Sequence, residues 1–90
     1  MNVLTFDTGN ATQEELTLIL NGLDTIVSGI MDDEENEGIL FLDKECKECL
    51  GSINKARQSN CKYTMYINTH AAQVWANQAV NNTNRENNID

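Results

Sequence analysis

The first 43 of the 90 residues contain no lysine and no arginine, although ten of the chain's 14 acidic residues lie there. That shortage of bases excludes gripping nucleic acid through phosphate neutralisation, which needs clustered Lys and Arg. No uninterrupted apolar run exceeds four residues, so a membrane-spanning helix has nowhere to form. The opening Met1-Asn2-Val3-Leu4-Thr5-Phe6-Asp7 lacks both a positive n-region and an apolar core of seven, which predicts no signal peptide and a cytoplasmic protein. Three cysteines, an odd number without secretory context, argue for reduced thiols over a disulfide frame. The Asn-x-Thr sequons at Asn10 and Asn81 are then silent. With a single histidine, no Gly-rich phosphate loop and no serine nucleophile motif, the chain is not expected to be an enzyme or to carry a cofactor.

What remains is one small acidic domain, expected over residues 1–80, with a disordered Asn-rich tail at 81–90. The net charge is −8, and its distribution is uneven. Residues 1–43 carry −10, while residues 44–90, which hold all six bases and four acids, carry +2. Such a segregated field speeds encounter with a positive surface and fades with salt. At this length the buried fraction of the surface is small, so a partner or a second copy is an attractive source of stability.

The periodicity predicts a mainly α fold with a minor β element, in the order β-α-α-β-α. Residues 3–6 read as a short strand ended by Asp7-Thr8-Gly9-Asn10. Thr12 and Glu15 stand in capping-box relation, and Leu16, Ile19, Leu20, Leu23, Ile26, Val27 and Ile30 repeat at steps of three and four, predicting a helix over 12–31. Gly22 and Gly29, seven apart, read either as surface glycines or as a site of close helix approach. A second helix from about residue 39 carries Ile39, Leu42, Cys46, Cys49, Ile53 and Ala56 on one stripe, with Leu50 beside it. Two striped helices joined by a short acidic connector predict a helical hairpin. Cys61, Tyr63, Met65 and Ile67 alternate with Lys62, Thr64, Tyr66 and Asn68, predicting a strand over 61–67 for which residues 3–6 are a candidate partner, the pairing itself being left open by the sequence. Thr69 is then the expected cap of a C-terminal helix bearing Ala72, Ala76, Ala79 and Val80 around a core anchor, Trp75.

The connector Asp32-Asp33-Glu34-Glu35-Asn36-Glu37-Gly38 holds five acids and no base. Together with Asp24 these residues form the expected partner-binding set: Asp24, Asp32, Asp33, Glu34, Glu35 and Glu37. Two metal readings compete for nearby residues. Cys46, Cys49, Cys61 and His70 are the right ligand types for structural zinc, but Cys46 and Cys49 occupy the stripe positions that helix two needs for burial, so buried reduced thiols are expected. An EF-hand register starting at Asp33 puts Gly38 sixth and Lys44 twelfth, a cation where the closing carboxylate belongs.

Glu14-Glu15-Leu16-Thr17-Leu18-Ile19-Leu20-Asn21-Gly22-Leu23-Asp24, followed by a second amphipathic helix, resembles the opening of small acidic accessory and inhibitor proteins encoded by bacteriophages. The resemblance spans residues 12–56 and implies a host-directed role, the blocking of a host or defence protein by occupying its surface, in some cases as a DNA mimic. The expected function is thus a non-enzymatic inhibitor or adaptor that presents its acidic half to a protein with a basic groove. The alternative is a self-associating module, a homodimer or higher oligomer built on Gly22, Gly29 and the helix around Trp75. In that reading Lys44, Lys47, Lys55, Arg57 and Lys62 hold a small anionic ligand such as a nucleotide.

Overall fold

In the computed structural model, which describes residues 8–87, the capping box is formed as the sequence predicts. The Thr12 hydroxyl accepts from the Glu15 N–H at 3.1 Å and the Glu15 carboxylate accepts from the Thr12 N–H at 3.0 Å. These bonds start α1, Gln13–Asp32, which follows a 3-10 turn at Thr8–Asn10. A second 3-10 turn, Glu34–Asn36, links α1 to α2, Leu40–Gln58, and α3 spans Lys62–Asn87. Cross-chain pairs set the directions. Asp24 lies opposite Arg57, while Cys49 lies opposite Ala72 and Glu45 opposite Asn82, so α2 runs antiparallel to both neighbours in an up-down-up bundle.

Among the described residues no strand is seen, and this corrects the second β element of the expected order. Residues 62–67 belong to α3, and the proposed partner at 3–6 lies outside the described residues. The period-two reading loses for a physical reason. Of its inward-facing set only Met65 is buried, whereas Tyr63 and Ile67 are 68% and 44% exposed. Met65 instead opens a longer series, Met65, Thr69, Ala72, Ala76 and Ala79, at steps of four and three, all buried. A helix also satisfies its own backbone groups, where a lone strand needs a ladder partner. Thr69 is correspondingly not a cap. It sits buried inside α3, its hydroxyl donating to the Met65 carbonyl at 2.7 Å.

The core joins Leu16, Leu20, Leu23 and Val27 of α1 to Leu42, Cys46, Cys49, Ile53 and Ala56 of α2 and to the small-residue seam of α3. The expected hairpin of the first two helices exists, but α2 packs more extensively on α3 than on α1. Alanine and cysteine at the facing positions let the two backbones come close, near enough for the Cys49 thiol to donate to the Ala72 carbonyl at 3.2 Å. Trp75 is half-buried against the same cluster. Gly22 and Gly29 face open space, with nothing near a Cβ placed on either, so no helix among the described residues approaches them closely. No helix among the described residues is long and apolar enough to cross a membrane.

Candidate functional site

Five of the six expected contact residues gather at one end of the bundle. Asp32 ends α1, Asp33 caps it, Glu34 and Glu35 form the 3-10 turn, and Glu37 closes it. All five are exposed. The connector is nevertheless built rather than slack. The Asp33 carboxylate accepts from the Glu35 N–H at 3.0 Å, the Asn36 side-chain amide donates to the Ile30 carbonyl at 3.1 Å, and the Asn36 N–H donates to the Asp33 carbonyl at 3.0 Å. Gly38 then takes φ +85°, a left-handed conformation that a side chain resists, and turns the chain into α2.

Asp24 stands apart. It lies eight residues before Asp32, about 12 Å along the helix. Its carboxylate is engaged at both oxygens, by Arg57 at 3.0 Å and by the Ser28 hydroxyl at 3.0 Å.

An apolar cleft of about 260 Å³ opens beside the acidic connector. Buried Leu42 and Cys46, half-buried Ile30 and Ile39 and exposed Met31 and Leu40 line it, together with Glu37 and Asp43. Leu40 is 82% exposed, and neighbouring Phe41 50%. Sequence reasoning missed this feature, although a signal existed. Leu40 and Phe41 are large apolar residues immediately after the acidic run, yet neither falls on the stripe that buries Leu42, Cys46 and Cys49.

Of the five bases in the alternative reading, two are engaged by acids. Lys47 pairs with Asp43 across one turn of α2 at 2.9 Å, and Arg57 is held by Asp24. Lys44 and Lys55 stand eleven residues apart on α2, about 16 Å. The thiols also part company. Burial pushes Cys46 up to about 11, with Asp43 and then Glu45 adding to it, and pushes Cys49 up to about 12, helped by Cys46 and Asp24. Exposed Cys61, at the start of α3, is lowered by the backbone N–H groups of Thr64 and then Tyr63. Among the described residues, no three His, Cys, Asp or Glu side chains are grouped as a metal ion requires. No known protein family, curated protein or solved structure matches this chain.

Proposed function

We propose that this protein is a non-enzymatic inhibitor or adaptor of the phage or mobile-element type, acting in the cytoplasm, that sets its acidic end against a basic groove on a host or defence protein. The observation that carries this reading is the connector itself. Five exposed carboxylates stand within six residues, without a base among them, on a turn held by its own hydrogen bonds. A fixed array keeps its field pointed outward and loses less entropy on docking than a slack loop. A groove that normally receives nucleic acid offers the matching charge, which makes DNA mimicry one form of the role. Three free thiols suit a reducing compartment.

The test compares proteins captured from host lysate by the wild-type chain and by Asp32→Lys, Asp33→Lys, Glu34→Lys, Glu35→Lys, across rising salt. The proposal expects a basic protein retained by the wild type, released by salt and absent with the variant. Identical capture by both chains at every salt concentration defeats it.

A further inference from the structure

The cleft beside the connector has a shape and setting that the acidic reading alone does not use. Its volume of about 260 Å³ falls below the roughly 300–1,000 Å³ of small-molecule sites, so it suits one anchoring side chain better than a whole ligand. Two of its lining residues, Met31 and Leu40, are exposed apolar groups at the end of the bundle that carries Asp32, Asp33, Glu34, Glu35 and Glu37. Apolar surface left open in this way marks an interaction site, and the surrounding charge decides what enters. A second copy brings the same carboxylates face to face, and nucleic acid or an anionic membrane brings more negative charge. A cationic protein segment brings neither penalty.

We infer that this cleft takes a single large apolar side chain, Leu, Ile, Met or Phe, from a partner segment whose flanking Lys and Arg meet the carboxylates of the connector. The inference rests on the proposed docking role and specifies its partner's chemistry. Affinity then comes chiefly from the buried anchor, while the charges steer encounter and set orientation.

A displayed library of random dodecapeptides, selected against the whole chain, tests this. Enriched sequences are expected to carry one large apolar residue flanked by Lys or Arg. A representative peptide, synthesised and labelled, should bind with a salt-dependent affinity that falls roughly tenfold or more in Leu40→Ser and in Met31→Ser. Both side chains are substantially exposed, so circular dichroism should show these variants folded as the wild type. Enriched peptides that are basic but indifferent to Leu40→Ser overturn the cleft's role and leave the acidic docking reading standing. Apolar peptides lacking bases, insensitive to salt, overturn both. A failure to enrich any sequence overturns the inference, as does sedimentation showing a dimer that Leu40→Ser dissociates, since that assigns the cleft to a second copy.

Discussion

Arg57, in the last turn of α2, spans the inter-helix groove to Asp24 in the middle of α1, with 3.0 Å between Nη1 and Oδ2. Its other nitrogen, Nη2, donates to the Asn21 side-chain oxygen at 2.9 Å. One guanidinium thus ties two positions of α1 to α2 and removes Asp24 from the outward field. Both partners retain about a third of their side-chain exposure, so water screens the pair. Arg57→Ala is expected to lower stability by only about 0.2–1 kcal/mol, and a double-mutant cycle with Asp24→Asn in urea should return a coupling of that size.

The three thiols should separate cleanly in reactivity. Native protein treated with a thiol reagent is expected to lose one cysteine quickly, Cys61, whose thiolate is favoured by nearby backbone N–H groups. Cys46 and Cys49 are fully enclosed and should react only on unfolding. Mass spectrometry of the first adduct identifies the site.

The same burial makes stability fall in alkali. Folding raises Cys46 from 9.0 to about 11 and Cys49 from 9.0 to about 12, so the folded chain keeps protons that the unfolded chain releases. Their contribution is complete below pH 9 and is lost as pH climbs through 11 to 12. Urea midpoints measured from pH 8 to 11 should decline. In Cys49→Ala the decline should be shallower, on top of a lower starting stability.

Small side chains hold α2 and α3 together, so enlarging one should be costly. Ala76 is completely buried on the α3 seam. Ala76→Leu is expected to destabilise by about 1–3 kcal/mol through overpacking, read as a lower thermal midpoint, although leucine is as good a helix former as most.

That seam also shows why the sequence was readable in some places and misleading in others. The Thr12–Glu15 box and the Leu16–Val27 stripe were legible because capping and packing demand the same residues. Cys46 and Cys49 were legible as core because they sit where the stripe needs apolar groups. Residues 61–67 were not legible, since Tyr63 and Ile67 imitate a strand while serving as the outer side of a helix. What settles them is that the stripe expected at Ala72, Ala76 and Ala79 continues back through Thr69 to Met65, so one helix runs through both segments. The acidic run at 32–37 was legible as charge. The cleft depends on the end of α1 and the start of α2 lining one space, a relationship that no local spacing encodes.

Beyond Val80 the helix makes a polar contact with α2, in which the Asn82 amide donates to the buried carboxylate of Glu45. Asn82→Ala removes a hydrogen bond from an acceptor that water reaches poorly, and is expected to cost about 1–3 kcal/mol. A chain ending at Val80 should lose at least as much. Equal melting of all three proteins contradicts the contact's role.

Charge kept for docking should bring folding no benefit, and the connector offers a direct comparison. Asp32, Asp33, Glu34 and Glu35 repel one another in water, while the turn depends on backbone bonds and on the acceptor at Asp33. Asn in place of Asp33 keeps that acceptor. The variant Asp32→Asn, Asp33→Asn, Glu34→Gln, Glu35→Gln is therefore expected to melt at or above the wild-type temperature. Added salt should raise the wild-type midpoint more than the variant's, because only the wild type has this repulsion to screen. A variant that melts well below the wild type assigns the carboxylates to the fold instead and removes the reason to look for a basic partner.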